Sequence, residues 1–210
     1  FIDAQTIMAE DFFLPYAAGE ADRAARLEAR KKEFTDYIEI LKKRTTAFIL
    51  PHNFAVPVYS PYGILEQKQT NGFFDEMREL NRHLRDNFRD GERVFVFDYD
   101  GFCSRIGKEK IASDTMYYVG DFRMDTAYYP NLTKEYLRYI LPLRQAPKKC
   151  IVLDLDGTLW GGVVGEDGFD GIQLGPTREG RPFWELQKYL LALYQRGIIL
   201  AVNSKNNYDE

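Results

Sequence analysis

A chain of 210 residues has room for one large domain or two small ones, since domains run to about 100–150 residues. Hydrophobic content of 45%, with 15% aromatic, excludes a disordered or low-complexity segment, and 28 basic against 32 acidic residues argue against a nucleic-acid binder. Two cysteines without CxxC spacing and only two histidines argue against a disulfide scaffold or zinc site and fit a reduced, cytoplasmic setting; no apolar run reaches the about 20 residues of a membrane helix.

Residues 19–44 are predicted to form one helix, because Leu27, Phe34, Ile38 and Leu41 recur at helical spacing among charged residues. A short strand at 47–50 is closed by Pro51, and a loop rich in Pro, Gly and Tyr covers 56–72. Phe73, Met77, Leu80, Leu84 and Phe88 predict a second amphipathic helix, broken by Asp90-Gly91. A strand, RVFVFDYD, then spans 93–100, and 101–131 reads as irregular. Leu132, Tyr136, Ile140 and Leu143 line a helix over 133–145. Ala146-Pro147-Lys148-Lys149 is the linker candidate. Beyond it come strand 151–156, a glycine-rich loop 157–180, a helix near 181–196 and strand 198–203. Helices alternating with apolar strands predict an α/β fold with largely parallel sheets, divided into residues 1–146 and 147–210. The start at Phe1 and the finish at Asn-Tyr-Asp-Glu read as those of a fragment.

The densest chemistry lies at Asp154-Leu155-Asp156-Gly157-Thr158, directly after an apolar strand. Ligands of open α/β sheets sit at the carboxyl ends of strands. Strand alternation would send the Asp154 and Asp156 side chains the same way, and Gly157 permits an immediate turn. Two carboxylates at such a tip suit phosphoryl chemistry with Mg²⁺, a hard ion that takes a few oxygen ligands plus a substrate phosphate. The bland alternative is a strand end whose acids only face solvent. At the end of the next strand, Ser204 is either a turn residue or a second element of the same site.

This Asp-x-Asp-x-Thr block resembles the first motif of the haloacid dehalogenase (HAD) superfamily. The resemblance implies Asp154 as the nucleophile that forms an aspartyl-phosphate, and Asp156 as general acid and then base. It implies Mg²⁺ held by Asp154 and by Asp156 through its carbonyl, Thr158 bracing the loop, and Ser204 on the phosphoryl group. The family's separate lysine, a role not given to Lys205, and its later acidic pair are expected beyond residue 210, so these 210 residues by themselves are expected to be inactive. Trp160-Gly161-Gly162, Gly165-Glu166-Asp167-Gly168 and Ser204-Lys205-Asn206-Asn207 narrow the resemblance, over 148–210, to the FkbH-like proteins of HAD subfamily IIIC, although that branch more often has Asn at position 157. Such proteins dephosphorylate 1,3-bisphosphoglycerate and load a glyceryl unit, as a cysteine thioester, onto an acyl carrier protein. The alternatives are a plain phosphatase acting on a phosphorylated small molecule, and a carrier-binding module with a vestigial HAD half. Cys103 and Cys150 are the candidate acyl-carrying thiols, each weighed against a structural role.

Residues 1–146 resemble the amino-terminal region of the same family, with its SGNH-hydrolase-like (flavodoxin-like) parallel sheet, ahead of the first part of a Rossmann-like HAD domain. In Asp121-Phe122-Arg123-Met124, Met stands where the hydrolase base would be, and no Gly-Asp-Ser block appears. This half therefore reads as a scaffold without an esterase triad, suited to docking the carrier. His52 and Asn53 follow a strand and are candidates to face the cleft, the simpler reading being loop residues. His83 reads as exposed, the tyrosines at 117, 118, 128 and 129 as loop packing, and Glu166 and Asp167 as a solvated turn.

Overall fold

The computed structural model describes residues 4–206, so Asn207 of the last motif lies outside the described residues. The chain divides into two compact units between Ile140 and Leu141. That division falls inside a helix, six residues before the linker expected at 146–149, because the helix continues its hydrogen bonding past the residues that pack on the front core.

In the front unit, α1 (Ala4–Met8) precedes the long helix α2 (Glu20–Arg44). The ends of α2 carry Glu20 and Asp22 at the start and Lys42, Lys43 and Arg44 at the finish, charges that complement the helix dipole. Leu27, Phe34 and Ile38 are buried as the periodicity predicts, whereas Leu41 is 48% exposed. Helix α3 (Phe73–Phe88) buries its whole predicted stripe against α2.

The two predicted strands of this unit are present as a short parallel ladder. Ile49 bridges Val94 and His52 bridges Phe97, with Ile49 N–H donating to Arg93 O (2.8 Å) and Asn53 N–H to Phe97 O (3.0 Å). The second segment ends before Asp98, not at Asp100 as its composition suggested. Asp98 accepts from Gly101 N–H (3.0 Å) and so caps α4 (Tyr99–Ile106), which removes Tyr99 and Asp100 from the strand. The stretch read as irregular also holds α5 (Lys108–Ile111) and α6 (Asp114–Gly120). Short caps and turns, not a long apolar period, build these pieces, so periodicity passed over them. Helix α7 (Tyr129–Arg144) starts four residues earlier than expected, and its Leu132 and Tyr136 pack on Phe97, Phe102 and Met124.

Polar side chains tie this unit together. Asn53 Nδ2 donates to Asp98 Oδ1 (2.9 Å), while its Oδ1 accepts from Asp100 N–H (2.8 Å), stapling the carboxyl ends of the ladder. Asn81 of α3 makes a matching pair with the Phe54 backbone, both at 2.7 Å. His83 is half-buried, not exposed, and joins α3 to Thr35 of α2 (2.9 Å).

Glu76 is buried on α3 with its carboxylate 3.3 Å from Arg23 Nε. Burial outweighs the pull of Arg23 and Arg30 and lifts its carboxyl from 4.5 to about 7. The folded state then holds this proton more tightly than the unfolded one. The stability linked to it is present below pH 4.5 and lost as pH rises through 7. Glu76→Gln removes this titration, so thermal melts across that window should improve in the variant relative to the parent as pH rises. Parallel melting curves would refute the assignment.

In the second unit, β1 (Cys150–Leu153) pairs in parallel with β2 (Ile199–Val202), in the register Cys150 to Ile199 and Leu153 to Val202. Between them lie α8 (Val164–Gly171), kinked at Gly168 inside the predicted glycine loop, and α9 (Arg181–Gln195). The described residues are thus a mixed α/β fold, mostly helical, with a two-stranded parallel sheet. Among them no helix is long and apolar enough to cross a membrane.

Candidate active site

The carboxyl ends of β1 and β2 lie side by side because the strands are parallel and in register, and Asn203 N–H extends the ladder to Leu153 O (2.8 Å). Asp154 follows β1 immediately and Ser204 lies two residues past β2, so both predicted motifs meet at one sheet edge.

Strand β1 stops at Leu153, earlier than the predicted 156, so strand alternation does not place Asp156. A turn does. Thr158 and Leu159 N–H both donate to Leu155 O (3.1 and 2.8 Å), and Gly157 sits at φ +66°, a conformation costly for a side-chain-bearing residue. Asp154 is exposed and accepts from its neighbour Leu155 N–H (2.8 Å). Asp156 is half-buried, its Oδ1 accepting from Trp160 Nε1 (2.8 Å) and Val164 N–H (3.2 Å).

These contacts set the charge of Asp156. Partial desolvation pushes its carboxyl up, but hydrogen bonds from Trp160, Val164 N–H and the Asn206 side chain prevail and hold it below the ordinary value of 3.8. Asp156 is therefore a carboxylate at neutral pH in the free site. Trp160 and Asn206 stood in the sequence only as parts of larger motifs. Their task as donors to Asp156 could be suspected from donor side chains flanking an Asp, but not assigned.

Trp160→Phe keeps the ring and deletes one donor. NMR titration of the Asp156 carboxyl carbon should then give a higher pKa than in the parent, and an unchanged one would show that Trp160 contributes nothing.

The other candidates occupy different settings. Thr158 is half-buried and serves the turn through its backbone N–H, while Ser204 Oγ accepts from Asn206 N–H (3.1 Å). Lys205 is exposed. Asp167 Oδ2 accepts from Val163 N–H (2.9 Å), which makes it a brace for the turn into α8; Glu166 is exposed. Gly161 packs so closely on Gln173 and Phe183 that a Cβ would lie 2.7–2.8 Å from them, and this accounts for a glycine after Trp160.

Both cysteines are free. Cys103 lies within α4, only 2% exposed, and burial pushes its thiol up to about 11, the reverse of a nucleophile's environment. Cys150 opens β1 on the exposed face of the sheet and is not the small core residue its position suggested. Met124 is buried in the front core, and His52 is half-buried, its imidazole held by desolvation at a pKa of about 4.

Among the described residues no three His, Cys, Asp or Glu side chains converge to hold a metal. Asp154 and Asp156 nevertheless offer hard oxygen donors at one strand end, which fits an ion that needs one or two carboxylates and keeps several waters.

No family model matches the sequence, and comparison with curated proteins yields no match. Among solved structures, the chain is similar to the N-terminal part of the protein BF1531 from Bacteroides fragilis, described as containing a phosphatase domain complexed with Mg. The likeness has a TM-score of 0.78 at 24% identity and covers 99% of this chain. The chain spans about half, 53%, of that structure's length. The fold is therefore shared across nearly all of the present sequence.

Proposed function

We propose that this protein is a Mg²⁺-dependent phosphatase of the HAD type, acting on a phosphorylated small molecule through an aspartyl-phosphate. The observation that carries the reading is the meeting of Asp154, Asp156 and Ser204 at the carboxyl ends of two parallel strands. The fold shared with a Mg-complexed phosphatase domain supports it.

In this mechanism Asp154 attacks phosphorus as the P–O bond to the leaving group breaks. Asp156 passes a proton to the departing oxygen. Water then attacks the aspartyl-phosphate, Asp156 takes the water's proton, and phosphate leaves Asp154 as a free carboxylate. Mg²⁺, held by Asp154 and Asp156, would supply positive charge against the phosphoryl oxygens. Asp156 begins ionised, so its acid role requires a proton brought with the substrate. The negative phosphoryl group raises its pKa on arrival and makes that proton transferable. Ser204 donates to a phosphoryl oxygen, and Thr158 maintains the turn.

The finer reading is an FkbH-like activity: release of phosphate from 1,3-bisphosphoglycerate with transfer of the glyceryl unit to a thiol and on to an acyl carrier protein. The motifs around Trp160, Gly165 and Ser204 support it, and Cys150 is the accessible thiol. A cytoplasmic location accompanies this reading. The front unit serves in it as the esterase-inactive scaffold on which the carrier docks.

The test uses the full-length protein with Mg²⁺, 1,3-bisphosphoglycerate and a carrier protein, followed by intact mass and phosphate release. A glyceryl adduct establishes acyl loading. Phosphate without an adduct leaves a phosphatase. Neither product, with or without the carrier, would overturn both enzymatic readings in favour of a binding module.

A further inference from the structure

The tryptophan that donates to Asp156 is itself held in place by residues distant in sequence. Trp160 Nε1 reaches Asp156 Oδ1 at 2.8 Å, and an indole has only the one N–H to aim, so its direction depends on the main chain beneath it. Both neighbouring residues are tied down. On one side, Gly161 N–H donates to Gln173 O (3.0 Å) and Gln173 N–H donates to Gly161 O (2.8 Å). On the other, Leu159 N–H donates to Leu155 O (2.8 Å), and Leu159 O accepts from Gln187 Nε2 (2.7 Å).

Gln187 belongs to α9, 28 residues beyond Leu159. Phe183, Gln187 and Leu190 recur at the spacing of one helical face. That face is turned inward: Leu190 is buried and Phe183 and Gln187 are half-buried, whereas Lys188 and Tyr189 on the far side are exposed. An amide between two apolar residues on such a stripe is costly unless its hydrogens find an acceptor. The acceptor here is the main chain of the loop that carries Asp156. Phe183 reaches the same loop at Gly161, where a Cβ would lie 2.8 Å from its ring. Adjacent turns of α9 thus touch residues 159 and 161, the two that flank Trp160.

We infer that Gln187 is a positioning residue of the Asp156 site: its amide on Leu159 O, with the Phe183 ring against Gly161, sets the backbone on both sides of Trp160 and so aims the indole N–H at Asp156. The inference rests on the phosphoryl-transfer reading only for its kinetic consequence. A carboxyl group that hands a proton to a leaving oxygen must be held in one orientation, and misplacement by about 1 Å costs about a hundredfold in rate.

Gln187→Met keeps the length of the side chain and deletes the donor. The indole N–H signals of Trp160 and Trp184, the two tryptophans of the chain, are followed by NMR in the full-length protein, with Trp160→Phe to assign them. In Gln187→Met the Trp160 indole proton is expected to exchange with solvent about tenfold faster, with the Trp184 signal and the far-ultraviolet circular dichroism unchanged. With phenyl phosphate, whose leaving oxygen needs a proton, kcat should fall about tenfold or more at an unchanged KM, and nitrophenyl phosphate should be affected less. Adding Gln187→Met to Trp160→Phe should cost no further rate, because both act through one bond. Unchanged indole exchange in folded Gln187→Met, or losses that add in the double variant, overturns the inference and leaves Gln187 a tie that serves stability alone. If Gln187→Met does not fold, Gln187→Glu carries the test, since it has the same shape and no donor at neutral pH. A parent that releases no phosphate removes the phosphatase reading, while the indole exchange still decides the role of Gln187.

Discussion

Asp154→Asn in the full-length protein is expected to lower phosphate release by about 10⁴-fold or more, the scale seen when a covalent nucleophile is removed. The substitution is nearly isosteric, and the amide oxygen can still accept from Leu155 N–H, which Asp154 does now at 2.8 Å. The turn therefore stays in place and the loss is chemical: an amide forms no acyl phosphate and brings no negative charge to a cation. Asp156→Asn should behave differently. The amide oxygen can continue to accept from Trp160 and Val164, but no proton is available for the leaving oxygen, a deficit of about 10²–10⁴-fold. A nitrophenyl phosphate, whose leaving group needs no proton, should recover much of that deficit in Asp156→Asn and none in Asp154→Asn. Rates above about a tenth of the parent in Asp154→Asn would remove the nucleophile from the proposed mechanism.

The largest expected loss of stability comes from Phe97→Ala, about 3–5 kcal/mol, as measured by urea unfolding followed by far-ultraviolet circular dichroism. Phe97 is fully buried and its ring lies 4.6 Å from His52, 4.9 Å from Tyr136 and 5.0 Å from Tyr139. Truncation leaves a cavity that three other rings can close only by moving, and it removes the surface that keeps His52 neutral. Part of the cost thus comes from a polar ring losing its dry environment. Phe97→Leu retains most of the volume and should cost clearly less. Both tryptophans, Trp160 and Trp184, belong to the second unit, so their fluorescence reports that unit during the same titration. A loss below about 1 kcal/mol for Phe97→Ala would mean that the front core does not centre on this ring.

Periodicity located α2 and α3 to within a few residues, since each must bury one regular stripe, and short apolar runs marked both strands. The spacing of Asp154, Asp156 and Gly157 likewise announced a carboxylate-bearing turn after a strand, and Ser204 a second strand end. Those are local patterns, written within a few residues of one another. Tertiary structure alone decided that Asp98 would cap a helix and not continue a strand. It also decided that Trp160 and Asn206 would hold Asp156 ionised, that Cys103 would be sealed in a core, and that Cys150 would be exposed. His52 meets Tyr136 across 84 residues and Arg123 meets Gln5 across 118. Local spacing specifies which face a segment must hide. Which distant side chains complete a pKa, a wall or a site depends on how the hidden faces find one another, and that is settled only when the chain closes on itself.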